Sequence, residues 1–457
     1  MDHRIISPME MYSVARHYLN FYKTIIFYLR FQTLSFSLDE WKSRIMKALR
    51  LTIEAQPRLR LQVDLSRKQP FFIILPMNVF DTLPIQIIQR NNYDIDDEQE
   101  ELLDKIIEDE SNTGFIFDQH SPLWRVTLVV SSNSQTFDFI ITMSHAIGDG
   151  MSGMGFFTNL IECLSEKSTL TFSLNDDRPL HELIPSKLPP FFSLILKIIE
   201  KFFVPNILSQ YLFPKTYWTG NIQKNDNDKY QTRLLSFKLS NTILDSLHKK
   251  CQYEKTTIHT AILSSLLLSI TEIIGRKNME FSCSTAVNLR QYCQPKLLNQ
   301  QMGIYISSVD SYHYIPYVEN LINLFWPLAR QIKEQINYEI EHAAMPLVQS
   351  LKFISNWNAF LIEQKKTLPN GYQHSVDISN ILRWSFQNND PSWKILHGGF
   401  TQSANVVGSV FTASVVTVNG ILKVYISFYE CSIENVEKVK IMIDRMQQLL
   451  LDAISLE

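Results

Sequence analysis

The densest chemistry in the chain lies in Ser144-His145-Ala146-Ile147-Gly148-Asp149-Gly150-Met151-Ser152-Gly153. A neutral imidazole with an ordinary pKa near 6.5 can take a proton from a hydroxyl or an amine near neutral pH. The unit His-x-x-x-Asp-Gly places an aspartate four residues after His145, so Asp149 need not touch the ring. Its side chain can point away and fix the loop through an arginine. Gly150 is expected to let the backbone turn tightly after the aspartate. The same letters, Gly148 to Gly153, also spell the dinucleotide fingerprint G-x-G-x-x-G, with Asp176 and Asp177 downstream. Asp149 would then sit where backbone N–H groups cradle a pyrophosphate and would repel it, and His145 would have no role. A third reading is a surface turn with an incidental histidine.

The glycine count sharpens the choice. The chain has 13 glycines in 457 residues, where average usage gives roughly 32. Four of them, Gly148, Gly150, Gly153 and Gly155, fall within eight residues. The elements that must position this turn are a strand and a helix. Phe137 to Ser144 is a mostly apolar run, expected to be a strand buried on both faces. Met154 to Ser165 has helical character. A polar turn at the end of a buried strand is where active groups are commonly mounted.

Beyond the turn, the chain is that of a globular protein, 45% hydrophobic and 19% charged, with about two or three units by length. A net charge of −3 without a long basic run excludes a nucleic-acid partner held through phosphates. Five scattered cysteines form no C-x-x-C and read as buried thiols of a reducing compartment. The start, Met1-Asp2-His3-Arg4-Ile5, has no apolar run of signal length, so a cytoplasmic protein is expected. No G-x-S-x-G, P-loop or H-E-x-x-H is present, and the other histidines lie apart, so no metal is expected.

Three regions are expected: 1–180, a connector at 181–230, and 231–457. Within the connector, 191–213 is long enough to cross a bilayer, but Lys197, Glu200, Lys201 and Pro205 interrupt it. It reads as an amphipathic helix and a second short segment, packed on the core or making peripheral membrane contact. In the last region, Ser240 is the expected cap of a helix through Tyr253. Thr257 to Ile274, Val318 to His342, Met345 to Trp357 and Glu434 to Leu451 read as helices. Val410 to Val418 and Ile421 to Phe428 form a hairpin about Asn419-Gly420, the pair favoured where both turn residues need positive φ.

The segment SHAIGDGMSGMGFF, residues 144–157, resembles the active-site segment of a large acyltransferase superfamily. That superfamily holds chloramphenicol acetyltransferase, peptide-synthetase condensation domains, plant and mycobacterial acyltransferases, and fungal alcohol acetyltransferases. Other segments are similar in order: Ser7-Pro8-Met9-Glu10, Pro57-Arg58-Leu59-Arg60, Pro122-Leu123-Trp124-Arg125, Ala286-Val287-Asn288-Leu289-Arg290 and Ile378-Ser379-Asn380. Two features set a branch. Ser144 stands where condensation domains usually carry a first histidine, and the plant branch's D-F-G-W-G is missing. Phe400-Thr401-Gln402-Ser403 and the hairpin after it look most like the alcohol acetyltransferase branch.

The resemblance implies an α/β (α+β) fold of two chloramphenicol-acetyltransferase-like subdomains, with mixed sheets flanked by helices and a central tunnel. It implies His145 as general base, Asp149 as a structural residue and Arg290 as its ion-pair partner, with Gly150 supporting the turn. Ser403 is a candidate to hold an oxyanion or a substrate. The expected reaction moves an acyl group from acyl-CoA, as donor substrate rather than bound cofactor, to a small or lipophilic alcohol. A monomer is expected, since one chain supplies both walls of the tunnel. Amide-forming or carrier-dependent condensation, and a non-catalytic lipid-binding role, stay open at this point.

Overall fold

The computed structural model describes residues 3–33, 38–82, 85–90, 96–117, 120–131, 135–167, 171–173, 178–185, 216–220, 230–274, 278–386 and 390–456. In chain order the elements of the first part are β1 (His3–Ile5), α1 (Pro8–Tyr18), β2 (Ile25–Thr33), α2 (Leu38–Ala55), β3 (Leu61–Asp64), β4 (Phe71–Ile74), β5 (Gln86–Arg90), α3 (Asp96–Asn112), β6 (Trp124–Ser131), β7 (Thr136–Met143), α4 (Gly150–Leu164) and α5 (Leu180–Leu183). The second part holds β8 (Thr232–Leu239), α6 (Asn241–Tyr253), α7 (Ile258–Ile274), β9 (Met279–Asn288), β10 (Ile306–Ile315), α8 (Phe325–His342), α9 (Ala344–Ser350), α10 (Trp357–Thr367), β11 (His374–Trp384), β12 (Trp393–Gln402), β13 (Ser409–Val418), β14 (Ile421–Tyr429) and α11 (Val436–Ser455). The segment 191–213 lies outside the described residues.

Two mixed sheets carry the architecture. One is ordered β12-β2-β7-β6-β5 and the other β10-β9-β11-β13-β14-β8, with a small sheet β1-β4-β3 at the side. β7 is buried from Phe137 to Met143, as its apolar run requires of an internal strand covered on both faces. β13 is buried along its whole length. The division of the chain at 1–180 and 231–457 needs one correction. β12 lies beyond residue 231 yet pairs antiparallel with β2, from Trp393 opposite Thr33 to Gln402 opposite Ile25. The second half of the sequence thus completes the first sheet.

Buried charges join the two sheets through α3. Arg30 on β2 holds Asp138 on β7 through two bonds of 2.6 and 3.1 Å. Glu100 on α3 accepts from Arg30 at 3.0 Å and from Lys423 on β14 at 2.9 Å. Burial opposes the ionisation of Glu100, but Lys423, His397 and Arg30 overcome it and bring its carboxyl down to about 2. In the entry segment, Ser7 and Glu10 form a reciprocal cap at the start of α1. Glu10 also pairs with Arg58 at 2.8 Å, which ties Ser7–Glu10 to Pro57–Arg60.

The Asn419-Gly420 turn has φ of 49° and 85°, both positive as expected. Other boundaries move. The helix expected over 345–357 stops at Ser350 and gives way to a 3-10 turn at Leu351–Phe353; Asn356 then starts a new helix, its side chain accepting from the Ala359 N–H at 3.0 Å. The helix expected from Val318 begins at Phe325, after a short 3-10 turn at Leu321–Leu324. The Ser240 hydroxyl meets the Thr242 hydroxyl at 3.0 Å and caps no helix N–H. Among the described residues no single helix is long and apolar enough to cross a membrane. The five cysteines are free thiols, four of them buried.

Candidate active site

A cavity of about 840 Å³ runs between the two sheets, and His145 lines it. The ring stands just beyond β7, whose ladder Ser144 extends by donating to the Leu123 carbonyl at 2.9 Å. A tight turn follows, with Ile147 N–H donating to the Ser144 carbonyl at 3.2 Å and Ala146 N–H to the Ser144 hydroxyl at 3.3 Å. The imidazole is half-buried, and Tyr22 meets it edge-on with centroids 5.7 Å apart. Its Nδ1 is buried and, among the described residues, has no hydrogen-bond partner. Burial, and then the Arg16 guanidinium, bring the imidazole down to about 4, while its own backbone carbonyl and Asp149 act the other way. The ring is therefore neutral at pH 7 and able to accept a proton.

Asp149 turns away from that ring. It caps α4, its Oδ1 accepting from the Ser152 N–H at 3.0 Å and the Ser152 hydroxyl at 3.1 Å. Arg290 grips both oxygens, Nη1 to Oδ2 at 2.8 Å and Nη2 to Oδ1 at 2.9 Å, and the Tyr305 N–H adds 2.9 Å to Oδ2. Both partners are fully buried. Burial opposes ionisation of Asp149, yet Arg290 and the Tyr305 N–H hold its carboxyl below the ordinary range. Arg290 is aimed by Asn288, whose Oδ1 accepts from the Arg290 N–H at 3.1 Å, and it stacks on Tyr305 at 4.9 Å. The Gly303 carbonyl accepts from the Asp149 N–H at 3.1 Å and from the Ser152 hydroxyl at 3.1 Å. This knot welds the loop before β10 to the turn that carries His145.

The clustered glycines serve a different purpose from the one expected. None of Gly148, Gly150, Gly153 and Gly155 has a left-handed φ, so the turn does not need their conformational freedom. They are there for close approach. A Cβ at Gly150 would lie 2.5 Å from Ile381 Cγ2, one at Gly153 2.3 Å from the Phe27 ring, and one at Gly155 2.1 Å from the Gln300 carbonyl oxygen. That carbonyl is itself held by Gln56 Nε2 at 2.9 Å. On an exposed helix Gly→Ala adds up to about 1 kcal/mol of stability. Gly155→Ala is expected to have the opposite sign and cost about 1–3 kcal/mol through overpacking. A urea midpoint lower than that of the parent chain checks it.

Ser403 does not reach the cavity. It is buried, and its hydroxyl accepts the backbone N–H groups of Lys23 at 2.9 Å and Thr24 at 3.2 Å, leaving it to lock the start of β2. The oxyanion or substrate role expected of it is replaced by a structural one. The residues that do line the cavity near His145 include Gln402, the neighbour of Ser403 in its segment, and Arg16, Tyr22 and Asp377, which the motifs do not single out. Tyr22 donates to Gln402 Oε1 at 2.8 Å. Asp377 stands on β11 between Ser284 and Thr412 of the neighbouring strands. Ser379 and Asn380, two and three residues further along β11, also line the cavity, and Asn380 Oδ1 takes the Leu382 N–H at 2.9 Å where the strand's register shifts. Among the described residues no group of three or more His, Cys, Asp or Glu side chains is placed to hold a metal.

The fold and this geometry can now be set beside known proteins. The chain is 24% identical over 446 residues to the probable alcohol acetyltransferase crmB of Aspergillus fumigatus, covering 90% of this chain and 91% of that protein. Its structure is similar to that of a trichothecene 15-O-acetyltransferase from Fusarium sporotrichioides, with a TM-score of 0.73, 11% identity and coverage of 99% and 95% of the two chains. It is also similar to the epimerization domain from the third module of tyrocidine synthetase B, with a TM-score of 0.64, 14% identity and coverage of 99% and 96%. Those likenesses establish the chloramphenicol-acetyltransferase-like fold of two subdomains. The alcohol acetyltransferase family model matches residues 85–450, and the chain belongs to that family of acyltransferases.

Proposed function

We propose that this protein is an O-acyltransferase that moves an acyl group from acyl-CoA to a small or lipophilic alcohol, with His145 as the general base. The observation that carries the reading is a neutral imidazole in the cavity, with the neighbouring carboxylate fully engaged elsewhere. A His–Asp couple is thus not the device here. His145 takes the hydroxyl proton as the alcohol oxygen attacks the thioester carbonyl. The tetrahedral oxyanion collapses, the C–S bond breaks, and the departing thiolate takes the proton from the imidazolium. Acyl-CoA enters as substrate, and no bound cofactor or metal takes part. Apolar walls at Ile336, Ile340, Leu347, Leu351, Trp357 and Phe360 favour lipophilic groups, at about 0.8 kcal/mol per buried methylene.

The test is a panel of acyl-CoA thioesters with alcohol and amine acceptors, scored by free thiol and by ester or amide product. Ester formation is expected; thiol release only with amines would overturn the reading. The base must be unprotonated, and its pKa is brought down to about 4. The kcat/KM profile of the free enzyme should therefore hold level from pH 7 to about 5 and fall only below that. An acid limb centred near pH 6.5 would contradict the geometry of this site.

A further inference from the structure

Arg16 is a charge in this cavity that the reaction leaves unexplained. It lies in the last turn of α1, is 8% exposed and lines the cavity. Its guanidinium lies between two aromatic faces, 4.1 Å from the Tyr12 centroid and 4.6 Å from the Tyr22 centroid. Among the described residues its one hydrogen bond to a side chain is a long 3.5 Å contact to the Ser13 hydroxyl, and its buried Nε meets no partner. Among the described residues no carboxylate pairs with it. An arginine does not shed its proton in a protein, so a full charge stands on the cavity wall with one of its donors, Nε, shut away from water. The two ring faces offset part of that cost but fill none of its in-plane donors.

We infer that Arg16 docks a carboxylate carried by one of the two substrates, either a dicarboxylic acyl thioester or a hydroxy acid. The inference rests on the acyl-transfer reading of the same cavity. A planar fork clamped between rings is preorganised for two parallel bonds to a carboxylate. Tyr22 lies between Arg16 and the imidazole, touching both. The docked group therefore sits only a few bonds from the carbon that reacts. The phosphates of coenzyme A stand a whole pantetheine arm away from that carbon and do not suit this position. Lys296 and Lys333 line the cavity elsewhere, on the loop after β9 and on α8. A carboxylate on Arg16 also cancels the charge that disfavours the imidazolium, so binding it helps the proton transfer.

The experiment is calorimetric titration of the intact protein with two matched pairs, succinyl-CoA against butyryl-CoA and mandelate against methyl mandelate. Each pair differs in one carboxylate. For one pair the parent protein should bind the acid at least about tenfold tighter, and up to about a hundredfold, as charge-assisted bonds give. Which pair shows it assigns the carboxylate to donor or acceptor. Arg16→Gln should abolish that preference, and Arg16→Lys should keep part of it. The lysine variant also serves as the probe if the glutamine variant does not fold. No preference in either pair, or a preference that survives Arg16→Gln, overturns the inference. Titration needs no turnover, so a chain that binds the acid but makes no ester fails the functional reading alone. A chain that esterifies neutral alcohols without any preference for the acids fails only this inference.

Discussion

His145→Ala should lower ester formation by about 10² to 10⁴-fold and leave the fold intact. The loss follows from removing the group placed to take the hydroxyl proton. The intact fold follows from the ring's surroundings. It is half-buried on the cavity wall, and among the described residues its Nδ1 has no hydrogen-bond partner and its ring meets Tyr22 edge-on. Removing it therefore orphans no donor or acceptor. The space it vacates opens into the cavity and traps no closed void. Free-thiol release and an unfolding curve, measured on the same preparation, separate the two effects. Near-normal turnover by the variant, with a substrate the parent converts, would remove His145 from the mechanism.

Arg290→Met should act in the opposite way, through stability first. It leaves Asp149 buried with its charge uncompensated, and breaking a buried pair by removing one partner costs about 3–5 kcal/mol. The Ser152 and Tyr305 donors remain on the carboxylate, but neither is charged. The loss also frees the Gln301 carbonyl, to which Arg290 donates at 3.0 Å. The loop before β10 should then loosen from the turn that carries His145. Urea unfolding of the variant should show the shift, and residual activity should track the folded fraction. An unchanged midpoint would mean the pair does not hold the two halves together. Asp149→Asn is the companion variant. It keeps an oxygen acceptor while stranding the arginine, so it should also destabilise.

The local parts of this site could be read from sequence because spacing alone determines them. His145 at a strand's end and Asn419-Gly420 in a tight hairpin depend on residues a few positions apart, whereas the helix expected from Met154 starts four residues earlier, at Gly150, because Asp149 caps it. The Arg290 pairing was also accessible, because two motifs of one resemblance met. The residues that escaped depend on closure of the whole chain. Arg16 looks like any charge on an amphipathic helix until folding sets Tyr22 against it. Ser403 looks like a free hydroxyl until the segment just before β2 supplies the Lys23 and Thr24 N–H groups that occupy it. The glycines could be counted but not explained, since their purpose lies in Phe27, Gln300 and Ile381 rather than in their own torsions. The apolar run expected as one helix is divided by a 3-10 turn at Leu351–Phe353, and the one local mark of the new start is the Asn356 cap.

The strand that crosses from one half to the other also sets the order of events at the ribosome. β2 is finished at Thr33, but its outer neighbour begins at Trp393. At translation speeds of about 5–20 residues per second, the edge of β2 waits for roughly tens of seconds with its N–H and C=O groups unpaired. Throughout that interval the nascent chain presents a long apolar strand edge to anything that can add to it. A shortened transcript, or a fragment cut after the first subdomain, keeps the histidine turn but never receives the strand that closes its sheet. Holding chaperones should therefore matter more to the yield of this protein than its size alone suggests, and expressing its first half by itself should give aggregates.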